Sequence, residues 1–139
     1  MKHLALIAFL GIVLVHPSVA QSTNNGNERH KIMDALRVDF YKDTRLAQEN
    51  PKGIKFVVSY YKTAGDWACV KVIPTINSKE IADPRWAILQ KRNGQWVQIN
   101  YVRAIAKNDA DALDALDFAP GTAAKVKAAF PSIPASILP

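Results

Sequence analysis

Residues 85–102 read RWAILQKRNGQWVQINYV, and this stretch decides the fold. Apolar and polar residues alternate on both sides of Asn93-Gly94. Such a pair between alternating runs predicts a two-residue turn with both residues at positive φ, because the twist of that turn matches the twist of the strands it joins. The turn sets the register of strands Arg85–Lys91 and Trp96–Val102. Arg92 faces Gln95, Lys91 faces Trp96, Ile88 faces Ile99 and Trp86 faces Tyr101. One face then collects Trp86, Ile88, Val97, Ile99 and Tyr101, the expected core face. The other collects Ala87, Leu89, Lys91, Trp96, Gln98 and Asn100. A slip of one residue would exchange the two.

Working outward, Ile54–Lys62 and Trp67–Pro74 form a second pair of strands around Thr63-Ala64-Gly65-Asp66. Strict alternation puts Phe56, Val58 and Tyr60 on one face and Val57, Ser59 and Tyr61 on the other. Both faces carry apolar residues, so the pair is either covered on both sides or meets a partner on one. Pro74–Pro84 reads as a polar, exposed connection. Upstream, Ile32, Leu36 and Phe40 recur every fourth residue and predict a helix over Asn27–Asp43, with Asn25 and Glu28 as its capping pair. Glu49-Asn50-Pro51-Lys52-Gly53 punctuates the chain before the sheet.

Downstream, Asn108–Phe118 reads as a short helix with Leu113 and Leu116 inward, broken at Phe118-Ala119-Pro120-Gly121. Thr122 caps a last helix, Ala123–Phe130, with Val126 and Phe130 on one side. Pro131, Pro134 and Pro139 then enforce an extended tail anchored by Ile133, Ile137 and Leu138. The class is α+β: an N-terminal helix packed on a four-stranded antiparallel curved sheet, followed by short helices and a Pro-rich tail, with cystatin/NTF2-like architecture as the best match.

The first residues carry an address. A basic start, an apolar run over Leu4–Val15 and the small residues Ser18-Val19-Ala20 form a secretory signal peptide, cleaved after Ala20. The run is shorter than the roughly 20 apolar residues of a permanent span. The expected organisation is a signal peptide at 1–20, a flexible leader at 21–27 and a single domain at 28–139, in a periplasmic or secreted protein. Setting Lys2 aside leaves 17 basic against 12 acidic residues, a formal charge of +5. Scattered along the chain, that charge serves solubility first and otherwise suits an anionic partner, and an exported chain without a Lys/Arg run is not built for nucleic acid. Cys69 is the only cysteine. It excludes an internal disulfide, and its place mid-strand between Ala68 and Val70 predicts a buried, inert thiol.

The series Arg29…Ile32-Met33-Asp34-Ala35-Leu36-Arg37, Phe56-Val57-Val58, Gly65-Asp66-Trp67-Ala68, Ala87-Ile88-Leu89, Gly94-Gln95-Trp96 and Phe130-Pro131…Pro134 resembles a group of small bacterial exported proteins of unknown function. Their pattern is an R-x-x-[IL]-[LM]-D-A-[LV]-R helix, an F-V-V strand and G-D-W-A and G-x-W hairpins. The resemblance covers about two thirds of the chain after Ala20 and implies an exported α+β domain without assigned chemistry. Cys69 departs from it, standing where the pattern more often has an aromatic.

The residue inventory argues against catalysis. After Ala20 there is one histidine, His30, and one cysteine, too few for a zinc site without carboxylate support. His30 alone can serve a Ser/His/Asp triad, and no G-x-S-x-G turn accompanies it. Asp109, Asp111, Asp114 and Asp117 lack the glycine turn and terminal bidentate acid of a calcium loop, and Asp109 and Asp111 suit a helix N-terminus. Asp66 beside Tyr60 or Tyr61 is the only acid/base set that an NTF2-like cavity would use, and it sits at a turn. No cofactor or metal is therefore expected. Trp96 and Trp67 flank hairpin turns and, with Lys91 and Arg92, are the candidate binding residues. Lys62, Lys71 and Arg103 would extend them into a basic, aromatic face. The alternative for Trp96 is burial under the C-terminal tail. The expected work is binding an envelope or secreted protein, or a self-dimer through the sheet face away from the helix. Inhibition of an acidic enzyme and a ligand pocket or NTF2-like active site between helix and sheet are the alternatives.

Overall fold

The computed structural model describes residues 21–43, 45 and 53–139, with residues 21–25 and 43 described by their backbone alone. The expected signal peptide and the punctuation over 49–52 lie outside the described residues. The chain is α+β. Helix α1 (Gln21–Asp43) precedes strands β1 (Lys55–Ala64), β2 (Trp67–Ile76), β3 (Lys79–Glu80), β4 (Arg85–Arg92) and β5 (Gln95–Ile99). Three short helices follow, α2 (Tyr101–Ile105), α3 (Asp109–Leu116) and α4 (Thr122–Ala129), then a 3-10 turn at Ala135–Ile137. The sheet order is β1-β2-β4-β5, every pairing is antiparallel, and β3 pairs with the end of β2.

The β4–β5 register is the expected one. Arg92 pairs with Gln95, Lys91 with Trp96 and Ile88 with Ile99, and Asn93 and Gly94 have φ of 51° and 77°. The strand stops three residues early, at Ile99. Asn100 leaves the ladder and accepts a hydrogen bond from the Arg103 amide at 3.0 Å, which caps α2 and carries Tyr101 into a helix instead of opposite Trp86. Asn77 and Ser78, at φ 48° and 65°, turn the expected loop into a small hairpin between β2 and β3. In β1 the register slips between Val58 and Tyr60, so Ser59 is an extra residue. A bulge of this kind inverts the alternation beyond it. Tyr61, not Tyr60, therefore joins Phe56 and Val58.

Both faces of the sheet are core. Under α1, Ile32, Met33 and Leu36 pack on Ala68, Val70, Val72, Ala87, Leu89 and Trp96. The opposite face holds Trp67, Cys69, Ile88, Ile99 and Tyr101 beneath Ala115, Val126, Ile133, Ile137 and Leu138. The helix thus lies on the Ala87–Leu89–Trp96 face, and the expected core face of the β4–β5 hairpin is covered by the C-terminal segments at Ile88 and Ile99, whereas Val97, expected in that core, is exposed. The face proposed for a self-dimer is the one those segments occupy. The middle of the space between helix and sheet, the expected place for a ligand pocket, is filled by Ile32 and Leu36, and a cleft remains at its end, between Glu28 and Arg29 of α1 and Tyr61, Lys91 and Trp96 of the sheet.

Three smaller expectations change. The segment 21–27, read as a leader, is the first part of α1; once the Ile32–Phe40 stripe is fixed, each added residue gains a hydrogen bond at little further cost. Glu28 is committed to the sheet and not to a cap. Gly121 (φ 89°) holds the N-cap position of α4, and Thr122 is buried within that helix.

Candidate functional site

The four residues singled out from the sequence do not share a face. Trp67 is 5% exposed, tilted against Phe130 at 6.2 Å, in the core under the C-terminal segments. Trp96 is 8% exposed on the other side of the sheet, under α1 and not under the tail. Arg92 is exposed and donates to Gln90 Oε1 at 2.9 Å. Lys91 stands beside Trp96, its ammonium 5.3 Å from the ring centroid.

Trp96 and Lys91 meet Glu28, which comes from α1. Lys91 Nζ lies 2.7 Å from Glu28 Oε2, and Trp96 Nε1 donates to the same oxygen at 2.9 Å. Lys31 Nζ donates to Oε1 at 3.1 Å. These donors, Lys91 first, hold the Glu28 carboxyl down at about 2 against an ordinary 4.5. Around them opens a cleft of about 460 Å³, lined also by Arg29, Tyr61 and Thr63. Burial pushes the Tyr61 hydroxyl up, and the Arg29 guanidinium, 5.1 Å over its ring, works against that shift. A carboxyl that stays ionised to about pH 2 and engages three donors is neither an acid nor a free base near neutrality. The cluster is a clasp that ties the helix to the tip of the β4–β5 hairpin.

Among the described residues, Cys69 and His30 are not brought together for nucleophile chemistry. Cys69 is fully buried on the tail face, and desolvation pushes its thiol up to about 12. His30 is exposed on α1 and donates from Nδ1 to the Gly26 carbonyl at 2.7 Å. Among the described residues no group of three or more His, Cys, Asp or Glu side chains is placed to hold a metal ion. No described helix is long and apolar enough to cross a membrane.

A second surface was not found from the sequence. Leu113 and Leu116, expected inward, are 65% and 51% exposed. Ala115 points inward instead, and the buried Tyr101 hydroxyl donates to its carbonyl at 3.0 Å. That bond and the small side chain bring α3 close and fix its rotation about its own axis. Spaced three apart on one helix, the leucines form a ridge along a groove of about 750 Å³. Trp86, Ile99, Tyr101 and Val102 line it, together with Asp39, Lys42, Asp83 and Arg85. Lys42 pairs with Asp39 at 3.4 Å, and Arg85 lies 4.8 Å over the Phe40 ring. Asp83, Asp114 and Asp117 have no ion pair among the described residues. The signal was present in residues 107–125: between its two lysines the chain carries four aspartates and no cation. A helix with leucines on one side and aspartates around them faces water or a partner, not a core.

No protein family, curated protein or solved structure matches this chain.

Proposed function

We propose that the chain is an exported, non-catalytic protein-binding module that docks a partner along the α3 groove. One observation carries this reading: two leucines, more than half exposed, on a helix beside a groove of mixed apolar and charged lining. Stranded large aliphatics beside a concave, polar-rimmed surface are what interaction sites look like before they are covered. The signal-like residues 1–20 support export, as does the resemblance to small exported bacterial proteins. The buried thiol and the internally consumed Glu28 support a binding role over a catalytic one. Trp96 and Lys91 contribute by holding the scaffold that presents the groove, not by touching the partner.

The test compares the protein lacking residues 1–20 with its Leu113→Asp/Leu116→Asp variant. Both changes are on the surface, and far-UV circular dichroism with a urea midpoint checks that the variant is folded. A partner recovered in stoichiometric amount from envelope extract by the first and lost from the second supports the reading. Equal recovery by both proteins overturns it.

A further inference from the structure

The sheet has two outer strands, and they differ. β5 is short, and two of its five residues are buried. β1 runs for ten residues with none of them buried, and Val57 is 53% exposed. No described strand pairs with its outer side. A strand in this position offers a row of backbone N–H and C=O groups to a further strand. Proteins blunt such edges with charged side chains, lysine above all, with proline and with bulges; β1 has Lys55, Lys62 and the single bulge at Ser59, and Tyr60–Ala64 runs on regularly beyond it.

The surroundings of this edge are cationic. Residues 53–65 contain Lys55 and Lys62 and no acid. Arg29 sits 5.1 Å over Tyr61 on the helix side of the strand, and Lys62 sits 5.3 Å over Tyr60 on the tail side. Neither cation meets a carboxylate among the described residues. A second copy of this chain is a poor occupant. Antiparallel pairing of two copies over Tyr60–Ala64, the regular run beyond the bulge, sets Lys62 of one copy against Lys62 of the other. Like charges directly opposite across a pair of strands destabilise it.

We infer that the outer edge of β1 takes an extended acidic segment of a partner protein as an added strand. The backbone ladder supplies affinity, and Arg29 and Lys62, one on each side of the strand, select for carboxylates. This surface is separate from the α3 groove, and the inference stands or falls independently of it.

The probe is a short, end-blocked, fluorescent peptide that repeats Glu-Glu-Val-Val, so that glutamates fall on both sides of the added strand, titrated by anisotropy. The expected result is saturable binding that weakens with salt. Affinity should fall at least about tenfold, ~1.4 kcal/mol, in the Arg29→Glu/Lys62→Glu protein. It should fall as far when alternate peptide amides are N-methylated in the phase that faces β1. The Leu113→Asp/Leu116→Asp protein should bind the peptide like wild type, which separates this surface from the groove. Unchanged binding after N-methylation in both phases would reduce the contact to charge alone and overturn the added strand. Equal binding of a lysine-for-glutamate peptide, no binding of the glutamate peptide, or a wild-type dimer abolished by Lys62→Glu would overturn it as well.

Discussion

The sheet face under α1 is closed by one continuous helix, and the opposite face by three short helices and a proline-rich tail. The two coverings are held differently. Beneath α1 the contacts are mostly apolar, with a polar clasp at Glu28 and one side-chain bond to the main chain, from Arg37 Nε to the Ile54 carbonyl at 3.3 Å. Beneath the C-terminal segments, polar side chains reach for main-chain carbonyls. Tyr60 donates to Ile137 at 2.9 Å, Tyr101 to Ala115 at 3.0 Å, and Lys127 to Pro131 and Ile133 at 2.7 and 2.6 Å. The difference follows from backbone accounting. A long helix satisfies its own amides and carbonyls, whereas short and irregular pieces leave carbonyls that must find donors elsewhere if they are buried. Irregular covering therefore needs side chains chosen for their hydrogen bonds as well as for their bulk.

The sharpest way to break this comparison is to remove apolar volume from each face in turn. Ile133→Ala on the tail side and Leu36→Ala on the helix side should each cost about 2–5 kcal/mol, measured by urea denaturation, because both side chains are buried. A cost below about 1 kcal/mol for Ile133→Ala would show the tail to be laid on the core and not part of it.

A smaller effect isolates the clasp. Glu28→Gln should cost roughly 1 kcal/mol at pH 6, since the carboxylate and its donors are part-exposed and screened. The sign of its pH dependence is fixed. The folded carboxyl titrates near 2 and the unfolded one near 4.5. The stabilisation is therefore complete above about 4.5 and is lost as pH falls toward 2. Wild type and variant should converge in stability across that window. A gap that persists at pH 2 would mean the clasp is not electrostatic. Arg92→Ala, outside both cores, serves as the control and should stay within about 0.5 kcal/mol of wild type.

Much of this was written in local pattern. Asn93-Gly94 fixed a register that the fold keeps, the Ile32–Leu36–Phe40 stripe is buried, and the tail anchors Ile133, Ile137 and Leu138 pack as read. Cys69 is the buried thiol its neighbours implied. What could not be read depends on partners distant in sequence. Val57-Val58-Ser59-Tyr60-Tyr61 suits a strand at every position, so nothing local marks Ser59 as the bulge. Trp96 looks amphipathic and exposed until Glu28, 68 residues earlier, takes its indole N–H. Alternation separated the two faces of the β4–β5 hairpin correctly but carried no information on which covering each receives. Leu113 and Leu116 were read inward by the habit that leucines are core. The rotation of α3 is set by Tyr101, and no pattern inside an eight-residue helix reports that.

One residue at the end of α3 has a consequence in time. The Ala119 amide bonds to the Asp114 carbonyl at 2.9 Å and the Phe118 amide to Ala115 at 3.2 Å, a Schellman closure. The left-handed position in that closure belongs to glycine in most helices; here Phe118 holds it at φ 55°, at a cost of roughly 1–2 kcal/mol. Its ring lies 5.0 Å from Trp86 and 5.7 Å from Tyr101, and that packing is what offsets the cost. Trp86 belongs to β4 and Tyr101 to α2, so the closure has nothing to lean on until both are in place. The end of α3 should therefore lock after the folding transition state and open first on the way out. Phe118→Ala is expected to speed unfolding while changing the folding rate by no more than about twofold; in stopped-flow measurements, a loss that fell mainly on the folding rate would put α3 in the nucleus instead. The helix that presents the exposed leucines would then be the last part of the molecule to arrive and the first to let go.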